Sequence, residues 1–244
     1  MRLLINGVTM KQFVLGDCHG CYKALVQCLE RSKFNKKEDT LIVLGDVCDG
    51  FPDVRQCVDE LLSIKNMIYI MGNHDDFFTD YIKTGIAQPI WTTQGGTATL
   101  ESYKEGLPES HRKLFFTSPY KYFDDFRNQF YVHGGFSSNL ELSNNTPDIM
   151  MWDRTLYQNA FKYVVKHPFK ELKILNFKDI FVGHTNTGTP EPVHVGNVWN
   201  LDQGAGWNGW LTIMNVDTYE FWQSDNVIDL YGEYDGRFKQ YLNS

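Results

Sequence analysis

The chain lacks a hydrophobic run of the roughly 20 residues needed to cross a bilayer, so no membrane association is expected. Its first residues, MRLLINGVTMKQF, hold neither a signal-peptide apolar core nor a small-residue cleavage site. Met10 is an alternative start, because the first strand is expected from Lys11 or Gln12. An excess of basic charge is also missing: 23 Lys and Arg face 30 Asp and Glu, a net charge of −7. General nucleic-acid binding needs a basic face to displace counterions, and this balance argues against it. A phosphate-bearing substrate remains open, since bound divalent cations reverse the local sign of an acidic site. Cysteine is scarce, with five residues between Cys18 and Cys57. The odd number and the missing secretion signal favour reduced thiols and a cytoplasmic location. The CHGC of residues 18–21 has no second pair to complete a zinc ribbon, so these cysteines read as small buried side chains. No repeat, low-complexity tract or Gly/Ser/Pro-rich linker divides the sequence. One domain over residues 1–244 is expected, with its motifs between about 12 and 224.

What is present is a strong alternation of strand and helix. Apolar residues make up 42% and aromatics 15%, enough for a substantial core and against long disorder. QFVLG (12–16), TLIVLG (40–45) and MIYIMG (67–72) are read as strands. Helices are read between them, over 20–32 and 52–65; in the second, Val54, Val58, Leu61 and Leu62 share one face. This β-α-β-α-β order implies a parallel sheet. Residues 74–118 are mostly helical, with breaks at TGIAQP and EGLPES. Further strands are expected over 129–135, 179–185, 194–202, 209–216 and 220–224, the last three pairing antiparallel. The fold class is α/β: two packed mixed β-sheets flanked by helices. The tail, YGEYDGRFKQYLNS, is read as a short helix or as disordered.

Five strands end alike. VLG leads to Asp17 and His19, VLG to Asp46 and Asp49, IMG to Asn73, His74 and Asp75, YV to His133, and FVG to His184. Sites in α/β sheets form in the crevice beyond the carboxyl ends of strands. Asp17 and His19 are two residues apart, so extended chain points them to one side and Cys18 to the other. Singly, each motif is more often a turn or a cap. Five in this order are not.

The ordered set GDCHG, GDVCDG, GNHD, HGG and GHT resembles the motifs of the calcineurin-like metallophosphoesterases, closest to the small bacterial and bacteriophage serine/threonine members of the phosphoprotein phosphatase branch. TTQGGTATLESY, IMMWDRTL and WNLDQGAGWNGWLTIMNVDT also look like segments of those proteins. The resemblance implies a four-layer metallophosphoesterase sandwich holding two divalent metal ions, with Mn favoured and Fe, Zn or Mg also fitting an oxygen and nitrogen donor set. Asp17 and His19 would bind the first metal, Asp46 would bridge, and Asn73, His133 and His184 would complete the second. A hydroxide held by the metals would attack phosphorus in line. His74 would protonate the leaving oxygen, with Asp49 orienting its ring. Asp75 and Asp76 are read as helix N-terminal charge.

The family's second motif ends in Asp-Arg, and that Arg clamps phosphate; here Gly50 follows Asp49. The departure leaves the metal chemistry intact and opens the mouth of the site. Arg154 occupies the place of a second phosphate-contacting Arg. Arg55, His111, His167 and His194 are read as structural. The expected activity is phosphomonoester hydrolysis on phospho-Ser/Thr protein or small phosphoesters. The alternative favoured by Gly50 is a diadenosine polyphosphate hydrolase or a phosphodiesterase. A non-catalytic metal-binding scaffold is a third reading, disfavoured because every ligand and acid position is filled.

Overall fold

The computed structural model describes residues 4–5, 8–9 and 10–232. The expectation for the tail lies outside the described residues from 233 onward. A short antiparallel pair, β1 (Leu4–Ile5) and β2 (Val8–Thr9), precedes the main fold.

Strand β3 (Gln12–Leu15), helix α1 (Tyr22–Arg31), strand β4 (Thr40–Val43), helix α2 (Val54–Leu62) and strand β5 (Asn66–Tyr69) follow the expected alternation. β3, β4 and β5 are parallel, with Phe13 opposite Leu41 and Leu41 opposite Met67. The chain then runs through α3 (Asn73–Thr84), α4 (Pro89–Trp91), α5 (Thr97–Ser102) and α6 (Glu109–Thr117). Next come β6 (Lys121–Asp124), β7 (Gln129–Val132), α7 (Pro147–Trp152), α8 (Thr155–Lys166) and β8 (Asp179–Val182). The chain continues with β9 (Val193–Val195), β10 (Val198–Asn200), β11 (Thr212–Asn215), β12 (Phe221–Gln223) and α9 (Val227–Tyr231).

Two five-stranded mixed sheets result, ordered β12-β11-β3-β4-β5 and β6-β7-β8-β10-β9. The central strands β11, β3 and β4 bury both faces, which explains their continuous apolar runs. Phe13, Leu15, Leu41 and Val43 face the helices on one side, and Val14, Ile42 and Leu44 face the other sheet. Tyr131 and Phe181 meet them from the second sheet, whose outer residues Phe130, Val132, Ile180 and Val182 pack under Leu156, Tyr157 and Ala160. The layers are therefore helix, sheet, sheet, helix, as expected.

Two expectations needed correction. Residues 194–202 are not one strand: Gly196 and Asn197 turn the chain between β9 and β10. Nor do the last three strands form one antiparallel set. β10 lies parallel to β8 in the second sheet, whereas β11 and β12 pair antiparallel in the first, beside β3. Helix α8 was not foreseen; its buried stripe of Leu156, Tyr157 and Ala160 has helical spacing.

Candidate dinuclear metal site

The parallel strands β3, β4 and β5 of one sheet and β7 and β8 of the other deliver their carboxyl ends to one edge of the sandwich. Asp17, Asp46, Asn73, His133 and His184 each follow one of these strands, and His19 follows Asp17 by two residues. The chain turns sharply there. His19, Asp46, Asp49 and His184 all have positive φ, between 48° and 70°, a conformation that costs a non-glycine residue energy and clusters at functional sites. Gly183 has no side chain because a Cβ there would overlap Asp17 Oδ1.

The six predicted ligands surround a cavity of about 300 Å³, which Asp17, His19, Asp46, Asn73, His74 and His184 line directly. His133 is fully buried behind it. Its Nδ1–H donates to Leu44 O at 2.8 Å, so Nε2 faces the oxygens of Asn73 at 3.0 Å and Asp46 at 3.2 Å. His19 is oriented in the same manner. Its Nδ1–H donates to Cys48 O at 2.9 Å, and Nε2 stands 3.7 Å from Asp46 Oδ2. The Asp46 carboxylate lies between two ligand clusters, with His19 and His74 on one side and His133 and His184 on the other; the donor atoms of each cluster lie within 4.8 Å of one another.

Two buried polar atoms here have no partner among the described residues: Asp17 Oδ1 and His184 Nε2. Such atoms are rare in folded proteins and call for a cation or water. The electrostatics agree. Burial, then the charges of Asp202 and Asp46, push the Asp17 carboxyl well above its ordinary range, against His133 and the His184 amide. Burial also opposes ionisation of Asp46, but the imidazoles of His133, His74 and His19 outweigh it and hold that carboxyl low. Burial lowers the basicity of His133, yet Asp46 and Asp17 lift it to about 10. Burial and the neighbouring His133 press His184 down to about 2. Two carboxylates, a carboxamide and three imidazoles at this density fit divalent cations, which would supply positive charge to the acidic groups. The oxygen and nitrogen donor set lacks thiolate. Cys18 Sγ lies 3.6 Å from Cys57 Sγ, Cys21 donates to Ala205 O, and all five thiols are free and buried.

His74 and Asp49 sit beside the ligands. His74 Nδ1 meets Asp49 Oδ2 at 2.6 Å, and the His74 amide donates to Asp46 Oδ1 at 2.9 Å. Asp49 is fully buried. Its carboxylate also accepts from Trp91 Nε1 at 2.9 Å and Thr99 Oγ1 at 2.7 Å. Arg154 reaches the cavity, with one guanidinium nitrogen 2.7 Å from the carbonyl of His184. Arg55 points instead to Gly106 O, and His111 is buried between Tyr103 and Asp59. His167 packs on Tyr163, and His194 stacks on Trp199.

Asp75 does more than charge a helix terminus. Its buried carboxylate accepts from the amides of Gly72, Asp46, Val47 and Cys48, tying the Asp46 loop to the start of α3. Burial and the Asp46 charge raise it to about 6, against those amides. Asp76 stays half-buried on the first turn. Asp202, which belongs to none of the five strand-end motifs, also lines the cavity, after β10. Its sequence signal is weak: it follows a strand end, but Leu201 rather than Gly precedes it and the strand reads as antiparallel. Trp152 and Trp207 form aromatic walls of the cavity, beside the carboxamides of Gln94 and Asn186.

Two mixed sheets in a four-layer sandwich, with carboxylate, imidazole and carboxamide donors gathered at parallel strand ends, define the metallophosphoesterase class. The calcineurin-like phosphoesterase family matches residues 10–217, and the chain belongs to that family. Among curated relatives, it is 40% identical over 67 residues to a symmetrical bis(5'-nucleosyl)-tetraphosphatase of Buchnera aphidicola, covering 27% of this chain and 24% of that protein. It is 32% identical over 84 residues to serine/threonine-protein phosphatase 1 of Salmonella typhimurium, covering 34% and 38%. The chain thus matches well under half the length of either protein. A crystal structure of a metallophosphoesterase from Sphaerobacter thermophilus shares the fold: TM-score 0.60 at 17% identity, covering 96% of this chain and 99% of that one. Among the described residues no helix is long and apolar enough to cross a membrane.

Proposed function

We propose that this chain, acting as one domain, is a dinuclear metal-dependent phosphoesterase that hydrolyses phosphomonoesters, with phospho-Ser/Thr protein as the leading substrate class, in the cytoplasm. The observation that carries the proposal is the gathering of six ligand side chains, Asp46 among them, around one cavity, with two of their atoms unpartnered among the described residues, beside a His74–Asp49 pair. Asp17, His19 and Asp46 would hold one cation, and Asp46, Asn73, His133 and His184 the other, with manganese favoured. When bound, the pair would neutralise phosphoryl charge and lower the pKa of water.

The rest falls to the protein. Leu44 O and Cys48 O fix the tautomers of His133 and His19, so each presents Nε2 to the cavity. Asp75 holds the Asp46 loop in register. As general acid, His74 would act as the imidazolium: its Nδ1–H donates to Asp49, which orients the ring, and its Nε2–H would pass to the departing ester oxygen. Arg154, at the rim, would contact the phosphate.

A specific observation favours a second reading, hydrolysis of a dinucleoside polyphosphate or a phosphodiester. Gly50 replaces the clamping Arg, its φ is +82°, and a Cβ there would lie 3.0 Å from both Cβ and O of His19. A side chain at this point is strained, so the guanidinium is not merely missing from an otherwise receptive backbone. The indoles of Trp152 and Trp207 at the mouth offer flat apolar surface for a base. Manganese-loaded protein assayed on an aryl phosphate, its bis-aryl diester and diadenosine tetraphosphate separates the readings. A higher kcat/KM on the monoester supports the first; a strong preference for either of the others replaces it with the second. Two bound metals with no turnover of any ester would support a non-catalytic scaffold.

A further inference from the structure

We infer that Trp91 and Thr99, at the two ends of the kinked segment after α4, are positioning residues that clamp the Asp49 carboxylate and through it set the ring of His74. The inference rests on the acid role proposed for His74 and adds the residues that make it work.

The geometry is closed on every side. Thr99 Oγ1 donates to Asp49 Oδ1 at 2.7 Å and accepts from the Asp49 backbone amide at 2.8 Å, so one hydroxyl fixes both side chain and main chain. Trp91 Nε1 is 2.9 Å from both carboxylate oxygens and lies in the fork. His74 Nδ1 takes the remaining direction at Oδ2. Asp49 and Thr99 are fully buried and Trp91 is 1% exposed, so water does not compete for these bonds. A carboxylate held by three donors cannot rotate to follow a drifting imidazole.

The segment's own conformation explains how both donors arrive. Residues Thr92–Gly96 join α4 to α5 through a kink, where Gln94 leaves helical geometry and Gly95 has a φ of +103°. A Cβ on Gly96 would stand 2.5 Å from the Trp91 ring, so only glycine lets the indole lie against the backbone. Phe78 and Tyr81 of α3 pack against the same indole. The WTTQGGTAT stretch therefore has a use that its place between the motifs does not disclose: one kink aims Trp91 and Thr99 at the back of the acid pair.

The test compares an alkyl phosphate, whose leaving oxygen needs a proton, with 4-nitrophenyl phosphate, whose does not. Wild type, Thr99→Val, Thr99→Ser, Trp91→Phe and His74→Asn are loaded with manganese to equal stoichiometry. Thr99→Val and Trp91→Phe are expected to lower kcat on the alkyl ester about 10-fold, the scale of a lost outer partner, with KM unchanged. Loss on the nitrophenyl ester should stay below about 2-fold, and Thr99→Ser should restore the alkyl rate to within about 2-fold of wild type. Equal losses on both esters in Thr99→Val and Trp91→Phe, while His74→Asn separates them, would overturn the inference and leave the acid role standing. If His74→Asn itself fails to separate them, the acid role falls and the inference with it. Should either clamp variant melt early, Asp49→Asn decides: adding Thr99→Val to it should cost nothing more on the alkyl ester, and a further 10-fold loss would overturn the clamp.

Discussion

The two ends of the sandwich treat buried polar groups in opposite ways. At the amino ends of the strands, Gln12 donates to Asp124 and Tyr131, Tyr131 donates to Gln129, and Gln129 and Tyr219 donate to Asp179. Arg127 closes the network onto Gln12 and Asp124. These groups all find partners within the protein, and the bonds between Gln12, Asp124 and Tyr131 lock one sheet to the other. At the carboxyl ends, Asp17 Oδ1 and His184 Nε2 have no partner among the described residues, and four side chains stand on left-handed backbone. A satisfied polar network adds rigidity and specifies packing; an unsatisfied one is costly unless a ligand completes it. The amino end is built for the fold alone. The carboxyl end is left incomplete by the fold.

That contrast can be broken by mutation, with effects that shrink in a definite order. Asp46→Asn removes the carboxylate between the two clusters and is expected to cost at least about 100-fold in activity, at the upper limit for lost metal partners or beyond it. Bound metal, measured on the purified variant, should fall in parallel; unchanged metal content would show that Asp46 does not bridge. His74→Asn comes next, with a loss of about 10²–10⁴ on alkyl esters, the usual scale of a general acid. Metal content should be unaffected, and aryl esters should lose far less. The smallest effect on turnover belongs to Tyr131→Phe at the other end. Removing the hydroxyl strands Gln129 Oε1 and leaves Gln12 Nε2 with Asp124 alone, and should cost about 1–3 kcal/mol of stability, read as a fall of roughly 3–10 °C in Tm. Its kcat should match wild type. A large loss of turnover in Tyr131→Phe at full metal loading would show that the two ends are not separable.

Much of the carboxyl end was legible in the sequence because its side chains are tied to strand ends. A Gly, then a donor residue, then a break in the apolar run marks such a place wherever the strand is parallel. Asp17, Asp46, Asn73 and His184 carry that mark, and His133 has its glycines, Gly134 and Gly135, on the following side. Asp202 lacks it, being preceded by Leu201, and it follows a strand whose parallel pairing with β8 the sequence did not reveal. Pairing is decided by tertiary packing, and the turn at Gly196 gave only a weak local sign of it. The donors to Asp49 were hidden for another reason. Trp91 and Thr99 lie 42 and 50 residues from it in sequence, and no local pattern joins a tryptophan on one kink to an aspartate on another loop. Asp75 was underread because a carboxylate on the first turn of a helix has an ordinary explanation. Its reach back to three amides of the Asp46 loop appears only in three dimensions. The amino-end network was not foreseen at all, since its members look like ordinary polar residues at strand starts.

The most direct test of the central claim is anomalous diffraction from crystals grown with manganese. The account predicts two peaks about 3.5–4 Å apart, as in two-metal sites that act on phosphoesters, with the Asp46 carboxylate between them, Asp17 and His19 on one, and Asn73, His133 and His184 on the other. A single peak, or a pair whose ligands exclude Asp46, would contradict it.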